Sequence, residues 1–548
     1  MVTSMTKTVL YNAKVYVEKG VYADALYQED GIIRLVGGDK QVLTAVGPDA
    51  EAIDCEGRTI IPGFNDSHMH LINLGKQMMV PNLAKCKDLE DIIQTCRKYL
   101  AEHPNCKGLQ CQGWREDDWP EGHRRLPDKH DLDRISTEIP VAIVRGCEHA
   151  GAVNSVLLAN MGLDKDHHTI EGGEVVLGED GGPNGYLKEA AIRAIYGYIP
   201  NLSDEELEEA ILTAMRYCAA WGITSVQSMD LGTYIPNWTP NYRVLKGIYE
   251  KGEDLVRYTG QTSFAAVEDF KAYVDGSYGE TPDGFPFKEV VADDRMHMGP
   301  LKLVRDGALG ARTAMMRHEY CDDPGNFGID SMSDESYEAY LNAAAAADLQ
   351  VVTHCIGDEA IERCMKSWNK TGRKDLRFGV VHNQITDVPL LQFLKASGCV
   401  VAYQPIFLDS DMHAVESRCG KELSSTSYAF KTARDMGLCC SYGTDAPVVD
   451  PNPFDNLYSA ITRKDLKGWP EGGWNPQECV DRETAVDCYT ADSAYFEFRE
   501  TVKGRLKPGF YADLTVLDKD IFTCSEDEIR AIRPVLTMCA GKITYREK

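Results

Sequence analysis

The stretch PGFNDSHMHL, residues 62–71, carries two histidines, His68 and His70, one residue apart. In a β-strand such a pair points to one side, because successive side chains alternate faces. Two neutral imidazole nitrogens aimed at one point are the beginning of a metal site. Alone the pair is a weak signal, since paired histidines also sit in solvent or in cores. The rest of the chain adds to it. KLVRDG contains Lys302, VVTHCIGD contains His354, FGVVHNQ contains His382, and CCSYGTDAP contains Asp445. Four of the 13 histidines therefore stand at the ends of apolar, strand-like runs.

Each residue type has a chemical reason to be there. Imidazole suits Zn²⁺ and related divalent ions, and a carboxylate adds charge compensation. Asp445 can ligate an ion and accept the proton of a metal-bound water, whose pKa falls toward neutrality. TDAP also reads as turn chemistry or a helix N-cap, and only the series with the histidines favours the ligand role. Lys302 is the odd member, because a protonated amine cannot bind a cation. A neutral lysine can take up carbon dioxide as a carbamate and bridge two ions about 3.5–4 Å apart. It can equally pair with an acid or face the barrel wall, and spacing leaves these choices open.

Eight strand candidates would position these residues: 60–70, 223–230, 255–263, 300–306, 349–355, 376–383, 399–405 and 438–445. Helical stretches such as 334–348 and 387–398 fall between them. In SDEELEEAILTAMRYCAAWG, Ser203 and Glu206 form a capping-box signature, and Gly222 marks the end. Eight strands alternating with helices predict an α/β fold, a (β/α)₈ TIM-type barrel, whose strand C-termini converge on one catalytic face. Both chain ends are β-rich and broken by Asn, Asp and Gly, which predicts a β-sandwich domain from 1–60 plus 505–548. The barrel then takes 61–74 plus 201–504. The stretch 75–200 is far too long for a barrel connection and is expected to be an inserted subdomain after the first barrel strand, a substrate-selecting cap.

Composition sets the outer limits. The chain has 548 residues and a net charge of −27. With no long Lys/Arg run, such acidity argues against nucleic acid or an anionic membrane as partner. No run approaches the ~18 apolar residues of a membrane helix, and the N-terminus lacks the pattern of a secretory signal. Eighteen dispersed cysteines without a C-x-x-C pair read as reduced thiols in a cytoplasmic protein.

PGFNDSHMH, KLVRDGALGARTA, HCIGDEA, VVHNQ, GTDAPV and GRLKPGFYADLTVLD together resemble the metal-dependent amidohydrolase superfamily. Within it they resemble the branch of N-substituted formamide deformylase and YtcJ-like proteins, over nearly the whole chain. The resemblance implies His68, His70, His354 and His382 as metal ligands. It implies Asp445 as ligand and general base, and Lys302 as the carboxylated bridge between two Zn²⁺. Where the branch commonly has glutamate before the sixth-strand histidine, this chain has Val381; the ligand is kept and the acidic neighbour is absent.

The expected reaction is hydrolysis of a non-peptide C–N bond, amide or N-formyl, in a small molecule. Metal-bound hydroxide attacks, Asp445 acts as base and then acid, and no organic cofactor is needed. Assembly into a homo-oligomer is compatible with the sequence. Substrate contacts are expected from the insertion: Trp114, Trp119 and His123 as a wall, with His149 and Asn154 reaching in. Arg312 of GARTA is expected to bind a carboxylate or orient its loop. Against these stand a core role for the tryptophans and a structural ion pair for Arg312. Two rival functions remain. A mononuclear deaminase would want glutamate in H-x-x-E after His354, whereas here Asp358 and Glu359 stand four and five residues on. A non-catalytic regulatory or ligand-binding protein would have no need of a nearly complete ligand set.

Overall fold

The computed structural model of the chain describes residues 7–146, 149–170, 172–235, 238–280 and 285–547. It divides into two compact units, 1–71 with 212–234 and 242–548, and 72–211 with 235–241.

The first unit is built around eight parallel strands: β1 (Phe64–Met69), β2 (Ile223–Leu231), β3 (Arg257–Thr262), β4 (Met296–Val304), β5 (Val351–Cys355), β6 (Gly379–His382), β7 (Val400–Tyr403) and β8 (Cys439–Tyr442). They pair in chain order from β1 to β8. The remaining gap is bridged just past the strand ends, where the Asp445 N–H donates to the His68 carbonyl (2.8 Å) and the His70 N–H to the Ala446 carbonyl (2.7 Å). The segments that carry His68, His70 and Asp445 thus draw together the two ends of the sheet. Between consecutive strands lie helices such as Asp334–Ala346, Asp358–Thr371, Val388–Ala396 and Phe430–Asp435. Most of the strand residues are buried, as expected of a parallel sheet covered on its outer face. Val352, Val381, Val400, Ala402 and Phe496 form one of the apolar clusters on its flank.

The sequence reading of 60–70 as a single strand needs correction. Thr59–Pro62 belongs to a different sheet, where it pairs antiparallel with Leu514–Leu517 and parallel with Lys14–Glu18. The chain passes into β1 at Gly63, whose N–H donates to the Asp513 carbonyl. A Cβ there would lie 2.2 Å from the Thr224 side chain, so only glycine lets the backbone through. Two small sheets accompany the barrel. One has four strands, in the order Ile32–Gly37, Ala25–Glu29, Lys7–Tyr11 and Glu51–Asp54. The other has six, drawn from both chain ends. Leu10, Leu26, Ile33 and Ile53 of the first share an apolar cluster with Ile60, Val516, Leu536 and Met538 of the second.

The second unit has a five-stranded sheet, ordered Gly173–Leu177, Pro183–Glu189, Ala150–Val153, Val141–Arg145 and Leu109–Trp114. Alternation along Val141–Arg145 splits its two faces: Ile143 packs with Cys111, Trp114 and Trp119, and Val144 packs with Val153, Leu157 and Leu187. The expected capping box forms, with the Glu206 N–H donating to Ser203 Oγ (3.3 Å) and the Ser203 N–H to Glu206 Oε2 (2.8 Å). Among the described residues, no helix is long and apolar enough to cross a membrane.

Candidate metal centre

The C-terminal ends of the barrel strands bring His68, His382 and Asp445 together, with one ligand atom from each within 4.8 Å of the others. Asp445 Oδ1 lies 3.4 Å from His68 Nε2 and 3.3 Å from His70 Nε2. The His354 ring is centred 4.4 Å from that of His382, which is itself 5.6 Å from His68. Lys302 is buried on β4.

Each ring is fixed by a bond on its far edge. His68 Nδ1 meets Gln261 Oε1 at 2.9 Å, His70 Nδ1 meets the Met229 carbonyl at 3.1 Å, and His382 Nδ1 meets Gln404 Oε1 at 2.7 Å. These contacts leave the Nε2 edges of His68 and His70 turned toward Asp445. His354 is reversed: its Nε2 faces the Gly307 carbonyl at 3.0 Å and Asp306 Oδ1 at 3.5 Å.

The electrostatics suit a cation. Burial, helped by the nearby Lys302, holds His68 well below the ordinary histidine range. Burial would raise the Asp445 carboxyl, but the surrounding His68, His70 and His382 outweigh it and hold it well below the usual range. Burial also pushes the Lys302 amine down to about 8, against the pull of Asp445. Imidazole nitrogens and a carboxylate form a nitrogen and oxygen donor set of the kind that holds Zn²⁺.

The backbone pays for this placement in strain. His382 and Asp445 both have left-handed backbones, with φ of 78° and 58°. Such positions cost about 1–3 kcal/mol each and persist where surrounding contacts impose them. Around Asp445 the contact is Asp66, which is fully buried on β1. Asp66 Oδ2 accepts from Thr444 Oγ1 (2.6 Å) and Tyr489 OH (3.3 Å), and Oδ1 accepts from the His68 N–H (3.2 Å). The Thr444 N–H lies 3.1 Å from both oxygens. Burial pushes the Asp66 carboxyl up to about 7, and these donors pull against it. Asp306 ties the β4 and β5 ends in the same way, accepting from the N–H groups of Met315 (3.0 Å), Ile356 (3.0 Å) and Gly357 (2.8 Å). Asp66, Asp306, Gln261 and Gln404 were not singled out from sequence. Asp66 stands in the NDSHMH motif and Asp306 in KLVRDG, but their partners lie far along the chain.

The residues expected to meet substrate have the following partners. Trp114 is fully buried and stacked on Trp119, 5.8 Å between ring centres, which is the core role. His123 Nδ1 meets Asp88 at 2.9 Å, and His149 Nδ1 meets Glu189 at 2.9 Å. Asn154 is buried, with Oδ1 accepting from Val141 and Leu157 and Nδ2 donating to Ser136 and Ile139, so its amide is spent on structure. Arg312 forms a two-pronged pair with Asp322 (2.8 and 3.1 Å).

The chain is similar to several known proteins. The YtcJ protein of Bacillus subtilis (strain 168) is 29% identical over 99% of this chain and 100% of its own. The N-substituted formamide deformylase of Arthrobacter pascens is 23% identical over 99% of both. Protein LONG AFTER FAR-RED 3 of Arabidopsis thaliana is 26% identical over 96% of this chain and 88% of its own. In fold, the chain is similar to an uncharacterized metal-dependent hydrolase from Pyrococcus horikoshii OT3. The TM-score is 0.77 at 23% identity, covering 95% of this chain and 99% of that one. The amidohydrolase family model matches residues 51–545, and the chain belongs to that family.

Proposed function

We propose that the protein is a metal-dependent hydrolase that cleaves a non-peptide C–N bond, amide or N-formyl, in a small molecule. The observation that carries this reading is the convergence of His68, His382 and Asp445 at the end of a barrel, with His70, His354 and Lys302 beside them. These six residues would hold two divalent ions, Zn²⁺ being the best match to the donor set, with Lys302 as the carboxylated bridge. Such ions supply Lewis acidity, which polarises a carbonyl and makes water nucleophilic near neutral pH. Asp445 takes the proton of the attacking water and returns it to the leaving nitrogen. The two backbone bonds between the Asp445 and His68 segments hold that carboxylate against the imidazoles while the proton moves. Choice of substrate is assigned to the long segment between β1 and β2.

One observation disfavours the deaminase. Asp358 accepts the Arg317 and Glu359 N–H groups (both 3.0 Å), and Glu359 pairs with Arg363 at 2.7 Å, so both acids are used at the start of their helix. The test is a panel of N-formyl and N-acyl amines assayed for release of amine. Turnover is expected, lost on verified removal of metal and regained with Zn²⁺. Full activity in metal-stripped protein would overturn the reading.

A further inference from the structure

Two buried glutamines stand behind the candidate ligands, Gln261 on β3 and Gln404 immediately after β7. An amide side chain can face either way, so its partners must decide which end meets the imidazole. Here the far end decides. Gln261 Nε2 donates to the Ser67 carbonyl (3.2 Å), and Gln404 Nε2 donates to the Ala402 carbonyl (3.3 Å). A carbonyl can only accept, so the NH₂ group must face it and Oε1 must face the ring. Oε1 is also only an acceptor, so the ring nitrogen that meets it must carry the proton. For His68 and His382 that nitrogen is Nδ1, at 2.9 and 2.7 Å. The lone pair of each ring is then on Nε2.

We propose that Gln261 and Gln404 are positioning residues that lock His68 and His382 as Nδ1–H tautomers, each through an amide anchored on a backbone carbonyl. The inference deepens the metal-centre reading and rests on it for its functional meaning. The choice of amide over carboxylate matters as well. A carboxylate partner raises the basicity of a ligating imidazole, whereas a neutral amide fixes the tautomer without that gain. The Met229 carbonyl behind His70 is likewise neutral and accepts only. Three rings of the centre are therefore oriented by neutral acceptors.

Gln261→Met and Gln404→Met keep side-chain length and remove the acceptor; Gln404→Glu keeps an acceptor for the ring but loses the donor to the Ala402 carbonyl. Two readouts apply to the full-length protein. In metal-free samples, ring ¹⁵N shifts of labelled histidine report the tautomer. In titrations against a chromophoric chelator, competition reports Zn²⁺ affinity. Each Met variant should show the Nε2–H form at its own histidine and bind Zn²⁺ about 10–100-fold more weakly. Gln404→Glu should keep the Nδ1–H form of His382, because an acceptor still faces that nitrogen. Unchanged tautomers in the Met variants would overturn the inference, as would Zn²⁺ affinities within about twofold of the parent, a change smaller than a lost orienting partner gives. If a Met variant does not fold, loss of the Nδ1–H form of His382 in Gln404→Glu would count against the inference. A parent protein that binds no Zn²⁺ would overturn the metal reading instead, and the tautomer measurement would still decide this one.

Discussion

Replacing Asp66 with asparagine tests how the centre is held together. Asp66 faces donors on both oxygens: the His68 N–H on one, Thr444 Oγ1 and Tyr489 OH on the other, and the Thr444 N–H across the two. Asparagine offers one acceptor oxygen and one NH₂. Whichever way it turns, an NH₂ meets a donor that Asp66 had satisfied. Leaving a buried donor unsatisfied costs about 1–3 kcal/mol, and above about pH 8, where Asp66 is ionised, losing the charge weakens the bonds that remain, so there we expect a cost of about 2–5 kcal/mol. The loss falls on the junction between β1 and 443–446, the segments bearing His68 and Asp445. Hydrogen exchange in metal-free protein should therefore quicken at His68 and Thr444 by roughly 30-fold or more, and Zn²⁺ binding should weaken in parallel. Exchange within about threefold of the parent, below 1 kcal/mol by the same conversion, together with unchanged Zn²⁺ affinity would refute the reasoning.

Other outcomes follow from the same structure. Arg257 Nε lies 2.7 Å from Asp513 with both side chains buried, so Arg257→Met leaves an uncompensated charge at about 3–5 kcal/mol; an unchanged thermal melt would contradict this. Lys302, with its amine near about 8 instead of 10.5, is a depressed base whose neutral form folding favours. Its stabilising contribution is present above about pH 10.5 and is lost as pH falls through about 8. Carbon dioxide uptake by the neutral amine should rise over the same approach to pH 8. Bicarbonate-supported recovery of metal-stripped protein should follow, and recovery independent of pH between about 6.5 and 9 would argue against a carbamate at Lys302. Asp445→Asn should remove turnover and weaken Zn²⁺ binding, and substantial residual turnover would take the proton-transfer role away from Asp445.

The barrel was legible because its later strands, such as Val351–Cys355, Gly379–His382 and Val400–Tyr403, are short apolar runs closed by polar or glycine-containing segments, with helical stretches between. His354, His382 and Asp445 lie at or just past such ends, so strand assignment and site assignment supported each other. Residues 60–70 were misread for a local reason. TIIP and FNDSHM are both strand-like, and the demand that separates them at Gly63 comes from Thr224, far along the chain. The supporting shell was hidden for the same cause. Asp66 meets Thr444 across 378 positions, and Gln261 meets His68 across 193. Neither residue type at its position signals a partner at that distance. In the inserted segment, aromatic and polar residues looked available for a substrate. There Trp114 is buried and the amide of Asn154 makes four hydrogen bonds, partners that no local pattern in the sequence announces.

The most direct measurement is the metal content per chain of purified protein, taken alongside turnover, for the parent and for His68→Ala and His382→Ala. The expected result is divalent metal in the parent, with metal and activity lost together in both variants while the fold is retained. A parent that turns over an amide substrate with no bound metal, or variants that keep full metal and full activity, would contradict the assignment of this centre.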